Sequence, residues 1–351
     1  MLLTNLSIYV IILFDFHKKE NTMTDILIAV LNPMLLLFFC ITLGFVLHKT
    51  HILPDSAGQV MAKLENWIFC PALAFSTTVT FCTSSTIATH AINISLATVA
   101  LFVAIGISMI LSRIFVRKKS PERGIYAYAL AFANSGYMGD PLVQMLLGDS
   151  MLSYYKLYCL PITIGIYTWG ISNLLPVGKH ENPLKKILNP STIALALGVV
   201  MGLSGTGEYI PTFLSSAINT LKACMAPVAM LLAGFTIASY NVGEILKDKK
   251  VYVATLLRLF FIPAIIVAVL FGTKELLNSC FALQIGNTVL YLGFFATASA
   301  LGLNTIVFPE AYGGNPKIGA SMALISHTLC IVSMPIMYTL MTLIFGPCQI
   351  L

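Results

Sequence analysis

Apolar residues in this chain come in long runs, not in the one-sided stripes that soluble helices carry. Ten runs stand out, at about 27–47, 59–82, 92–116, 124–147, 153–176, 190–209, 211–239, 250–273, 280–305 and 317–346. A helix needs about 20 apolar residues to cross a hydrocarbon layer of about 30 Å, and these runs are of that order. Polar residues gather in short connections, the longest of which is Val177–Lys186. The pattern predicts an all-α polytopic membrane protein with ten transmembrane helices and no soluble domain. Leu2–Phe16 is too short for a confident span and lacks a small-residue cleavage site. Residues 1–24 are therefore set apart as a leader or peripheral segment, and Met23 is the more natural start.

The fourth run departs from the pattern in its middle, which reads Asn134-Ser135-Gly136-Tyr137-Met138-Gly139-Asp140-Pro141. Glycines and a proline weaken a helix there, and Pro141 is expected to push Asp140 out of helical backbone. Broken backbone at membrane depth survives where it is buried in protein or lines a cavity. Secondary transporters build substrate sites from such breaks, although a simple proline kink has the same composition.

The chain also repeats. Asn32-Pro33, Ile52-Leu53-Pro54 and Cys70-Pro71 recur as Asn189-Pro190, Tyr209-Ile210-Pro211 and Ala226-Pro227, at offsets of 157, 157 and 156 residues. Phe132-Ala133 and Gly139 recur as Phe295-Ala296 and Gly302, 163 residues on. Each half holds five spans, and an odd number inverts the second copy. The first repeat covers 25–176, the connection 177–189 and the second repeat 190–351. The ninth span, around Ser299, Asn304 and Thr305, then partners the broken fourth, and the two breaks are expected to cross at mid-membrane.

Charge sets the orientation. Connections after odd-numbered spans carry Lys49, Arg113, Arg117, Lys118, Lys119, Arg123, Lys179, Lys185, Lys186, Lys247, Lys249, Lys250 and Lys317, thirteen of the 20 basic residues. The opposite side carries Lys18, Lys19, Lys156 and Lys274. The basic side is expected to be cytoplasmic, which puts both termini outside. With only 10% charged residues, against roughly 25% in soluble domains, and with its basic residues in short loops, the chain is no nucleic-acid binder despite its net charge of +6. Its eight cysteines lie mostly in apolar runs without C-x-x-C spacing, so no disulfide framework, metal or cofactor is expected.

Single polar residues inside spans leave alternatives open. A charged, unpaired Asp140 costs about 3 kcal/mol to insert. It is read either as a proton- or cation-loading carboxylate or as a cap for the half-helix that follows. Arg258 either meets an acidic group or an anionic substrate, or anchors its span at the interface. His327 either relays protons or packs with a hydrogen bond. Lys63, Glu65 and Lys222 are expected to snorkel toward headgroups.

Asn134-x-Gly136-x-x-Gly139-x-Pro141 resembles the fourth-span motif of the auxin efflux carrier family. The Asn-Pro and Ile-Leu-Pro landmarks, Arg258-Leu-Phe-Phe-Ile-Pro263 and the Ser326–Pro335 stretch are similar as well. The resemblance spans about Asp25–Phe345. It implies two inverted five-helix repeats, a scaffold of spans 1, 2, 6 and 7, and a transport domain of spans 3–5 and 8–10. It implies a substrate site at the crossing of spans 4 and 9, at Asn134, Ser135, Gly136, Gly139, Asp140, Pro141, Ser299, Asn304 and Thr305. It further implies a small organic anion, most simply a carboxylate. Coupling to a proton or sodium through Asp140, His327 or Arg258 is an expectation from those residues themselves, since the resemblance offers no carboxylate matching Asp140. Lipid surrounds the spans, a homodimer through the scaffold is expected, and the membrane is a bacterial cytoplasmic one. The chain departs from the family at Ala300, where a proline is common, and at Asp140, where an apolar residue is usual.

Two other classes compete with this reading. Gly139-Asp140 resembles half of an intramembrane aspartyl protease, but no second aspartate stands in a core span to share its proton. A channel fits broken helices in an inverted repeat less well than alternating access does.

Overall fold

The computed structural model describes residues 23–118, 120–174, 188–240, 248–302, 304–306 and 317–348. Residues 1–22 of the leader and the whole Val177–Lys186 connection lie outside the described residues. Within them the fold is helical. We number the helices α1 (Met23–Lys49), α2 (57–81), α3 (Ile87–Phe115), α4 (Pro121–Ala131), α5 (135–147), α6 (149–174), α7 (Pro190–Ser204), α8 (Thr212–Ala238), α9 (Lys249–Phe281), α10 (Thr288–Ala298) and α11 (Lys317–Phe345). Five of them, α1, α3, α8, α9 and α11, are long and apolar enough to cross a membrane unaided.

Helix α1 shows why these helices lack an amphipathic stripe. It buries Val30, Met34, Leu37, Ile41 and Gly44 at alternating spacings of four and three. Its outer face, with Leu35, Leu36, Phe39, Leu43 and Val46, is equally apolar and exposed, as a lipid-facing surface must be. Close approach, not hydrophobicity, holds such helices together. A Cβ on Gly44 would lie 2.0 Å from the Leu231 carbonyl oxygen of α8, and one on Gly234 would lie 1.8 Å from that of Ile41, so the two helices touch backbone to backbone. Helices α2 and α7 do the same at Gly198 and Gly202. The pairs α1–α8 and α2–α7 are the most extensive in the fold.

Four helices widen into π-helical turns, at Glu65–Phe69, Ser135–Gly139, Ile166–Gly170 and Leu257–Phe261. Three of these end two residues before a proline: Pro71, Pro141 and Pro263. A proline lacks an N–H and its ring crowds the carbonyl four residues back, so a local widening lets the helix continue. The sequence pattern five residues, one residue, proline therefore marks three wide turns, and they carry Glu65, Asn134's first turn and Arg258.

The repeat landmarks are partly reproduced. Pro54 and Pro211 both precede the second helix of their half, and Pro71 and Pro227 both lie within it. Asn189 caps α7 by accepting from the Thr192 N–H, whereas Asn32-Pro33 lies inside α1. Of the later matches, Phe132-Ala133 follows the end of α4 where Phe295-Ala296 lies within α10, and Gly139 belongs to a helix where Gly302 lies beyond the end of α10. Ala133 pairs in an antiparallel bridge with Leu301.

Candidate functional site

The two breaks meet. Helix α4 stops at Ala131 and α10 at Ala298, and both chains turn extended. The Asn134 N–H donates to the Ala300 carbonyl at 2.8 Å, so the polar backbone freed by one break is satisfied by the other. Helix α11 completes the seam. Ser326 Oγ accepts from the Leu301 N–H at 3.0 Å and donates to the Ala323 carbonyl at 3.2 Å. This contact forms without the proline at position 300 that the resemblance associates with the ninth-span break.

The chain restarts as α5 under a cap. Asn134 Oδ1 accepts from the Tyr137 N–H at 3.2 Å, satisfying one of the free donors of the first turn. Its Nδ2 is buried without a partner. The capping role weighed for Asp140 thus falls to Asn134.

Asp140 has a different partner. Helices α5 and α6 form a hairpin turning at Gly148, whose φ of 83° and ψ of 176° suit glycine alone. Asp140 lies eight residues before that turn and Lys156 eight after it. At 1.5 Å per residue both stand about 12 Å below the hinge, side by side. Lys156 Nζ donates to Asp140 Oδ2 at 2.6 Å, and the side chains are 15% and 3% exposed. Lys156, expected in an outer connection, is instead a buried partner in the site. The Tyr155 hydroxyl fastens the same hairpin by donating to the Ser135 carbonyl at 3.1 Å.

A cavity of about 380 Å³ adjoins these groups. The break and α5 contribute Ala133, Asn134, Ser135, Gly136, Tyr137 and Asp140. Asn66, Trp67, Cys70 and Ala74 come from α2, and Lys156, Cys159, Leu160, Thr163, Ile166 and Tyr167 from α6. Asn189–Thr192 and Leu195 come from the start of α7, and Gly302 and Asn304 from the second break. Gly136 is exposed to the cavity. Asn304 bonds the Tyr128 hydroxyl. The Tyr137 hydroxyl donates to Asn66 Oδ1 at 3.2 Å, joining the break to α2.

The remaining expected residues support the cavity without lining it. Gly139 packs under Tyr155, where an added Cβ would lie 2.2 Å from the hydroxyl. Pro141 is buried in α5. Thr305 is buried and donates to the Gly302 carbonyl at 2.9 Å. Ser299 is buried at the end of α10, and its carbonyl accepts from Arg258 Nη2 at 3.3 Å. Arg258 is fully buried, so it sits at the second break and not at the interface. There it sets a positive charge against the negative end of the α10 dipole. His327 is buried with Nδ1 2.7 Å from the Ala323 carbonyl, the packing arrangement of the two weighed.

Two snorkelling expectations fail. Glu65 is fully buried, with Oε2 accepting from Cys70 Sγ at 3.4 Å. Lys222 pairs with Asp149 at 2.6 Å, and Gln144 Nε2 donates to the other Asp149 oxygen at 2.9 Å. Lys63 is exposed, as expected. Among the described residues no group of acidic, His and Cys side chains could hold a metal.

Two breaks paired across the core, beside a polar cavity, form the architecture that the fourth-span motif implied. None of the curated proteins matches the chain. A family model described as membrane transport protein matches residues 29–183 and again 179–338, meeting within the Val177–Lys186 connection. Nearly the whole helical chain is covered, and the protein belongs to this membrane transport family, that of the auxin efflux carriers.

Proposed function

We propose that the protein is a secondary transporter that moves a small organic anion, a carboxylate, across the cytoplasmic membrane by alternating access. The observation that carries this reading is the pairing of the two breaks through Asn134 and Ala300 at the edge of the cavity. The start of α5 presents the positive end of a helix dipole and the unpartnered Asn134 amide to that cavity. The negative end of α10 is offset by Arg258. What remains in the cavity favours an anion.

The ten spans act as two inverted repeats, with α1, α2, α7 and α8 as scaffold and the other helices as transport domain. The extensive α1–α8 and α2–α7 packing supports that division. The cavity is walled by Asn189–Thr192, at the start of α7 beside the basic connection. The conformation is therefore the one open to the cytoplasm. Asp149 and Lys222 close the far side, joining hinge to scaffold. Lipid covers the exposed apolar faces, and two copies pair through the scaffold.

The test is uptake of labelled mono- and dicarboxylates into proteoliposomes under imposed proton or sodium gradients. Carboxylate uptake above that of protein-free vesicles is expected. No uptake of any carboxylate under either gradient would overturn the reading.

A further inference from the structure

We propose that Lys156 is the cation that binds the substrate carboxylate, and that Asp140 occupies the place of that carboxylate while the site is empty. The inference rests on the organic-anion reading above and names the residue that would recognise the charge.

Among the described residues that line the cavity, Lys156 is the sole lysine or arginine and Asp140 the sole acid. A buried ammonium without a counter-charge is costly, so an anion transporter that carries one needs a substitute anion between substrates. The Gly148 hairpin supplies it, since it brings Asp140 and Lys156 to the same height on its two arms, where they pair. An ammonium has three donors, and Asp140 Oδ2 takes one at 2.6 Å. Asp140 is the more enclosed partner, at 3% exposed against 15%, so the lysine is the one that an arriving ligand reaches. Asn134 lines the same cavity, and its buried, unpartnered Nδ2 is the second donor assigned to a carboxylate. Glu65 lies behind Cys70, away from the lining, and is common to every variant compared below.

A pairing that serves only folding makes the opposite forecast for the same substitutions. If Asp140 competes with substrate, Asp140→Asn frees Lys156 and tightens carboxylate binding. Lys156→Gln weakens it, and the neutral double variant is also weak. A charge-assisted hydrogen bond corresponds to roughly tenfold to a hundredfold in affinity. If the pair is only structural, each single variant is impaired, and the double variant, with no buried charge left, returns toward wild type.

The experiment is equilibrium binding to purified full-length protein, using labelled acetate, malonate, succinate and benzoate. Circular dichroism verifies the fold of each variant. The expected order of affinity is Asp140→Asn above wild type, with wild type above both Lys156→Gln and the double variant. Wild type and double variant binding alike, with Asp140→Asn no tighter, would overturn this inference and leave the anion-transport reading intact. Failure of all four carboxylates to bind wild type and Asp140→Asn would overturn both.

Discussion

Asn134 does two jobs with one side chain, and they can be separated. Its oxygen caps α5 and its Nδ2 is the unpartnered donor at the cavity. Removing an N-cap costs about 1 kcal/mol, and removing one hydrogen bond to a charged ligand costs about 1.5–3 kcal/mol. Asn134→Ala loses both, so it is expected to lower stability by about 1 kcal/mol and to raise the half-saturation constant for carboxylate roughly tenfold or more. Asn134→Ser keeps a capping oxygen and replaces the two amide donors by one hydroxyl donor on a shorter side chain, which does not reach the place of Nδ2. It is expected to recover wild-type stability while transport stays as weak as in the alanine variant. Thermal unfolding in detergent reads the first effect and initial uptake rates against concentration read the second. A serine variant with wild-type half-saturation would refute the claim that the amide meets substrate. An alanine variant of unchanged stability would refute the capping role.

Further expectations are narrower. Tags at either terminus are expected to be accessible from outside intact cells, from the Lys/Arg asymmetry, and labelling only after permeabilisation would contradict this. Gly139→Ala drives a Cβ to within 2.2 Å of the Tyr155 hydroxyl and is expected to cost about 1–3 kcal/mol. Adding Tyr155→Phe removes the obstructing oxygen, so the double variant is expected to melt above the single one. Lys222→Gln breaks an ion pair whose acid is 40% exposed, so its stability cost stays under about 1 kcal/mol. It is expected to raise the labelling of a cysteine placed at Ser150 by a membrane-impermeant thiol reagent, because the outer closure loosens.

Much of this was legible because hydrocarbon leaves few choices. Long apolar runs gave the helices, and the Gly-Pro-rich middle of the fourth run gave the break. Proline landmarks at one offset suggested that the halves are related. Which residues of the two breaks touch was not readable, because the bridge between Ala133 and Leu301 is fixed by backbone hydrogen bonding between segments distant in the chain. Lys156 was misplaced for a different reason. Near the end of an apolar run a lysine reads as a loop residue, and its depth follows only once Gly148-Asp149-Ser150 is taken as a hairpin turn. Equal spacing about the glycine puts 140 and 156 at the same depth, but which faces of the two arms meet is visible only in the structure. Arg258 and Glu65 carried no comparable signal. Their burial comes from packing between elements distant in the chain.

The pair of Asp140 and Lys156 also bears on what drives transport. With the site empty the carboxylate has its cation at 2.6 Å. When a substrate carboxylate takes Lys156, Asp140 is left in a buried site, where an uncompensated charge is costly, and taking up a proton relieves it. On this proposal anion and proton are expected to travel together. Asparagine mimics the protonated acid in shape and cannot lose the proton. Asp140→Asn is therefore expected to abolish accumulation against a gradient while retaining exchange between equal concentrations on the two sides. Wild-type Asp140 is expected to give accumulation driven by an inward proton gradient. The paired assay is gradient-driven uptake against counterflow in the one variant, with its binding measured alongside. Retention of proton-driven accumulation in Asp140→Asn would exclude this carboxylate as the coupling group. Loss of both activities with carboxylate binding intact would exclude it as well, since exchange does not require the proton to be released.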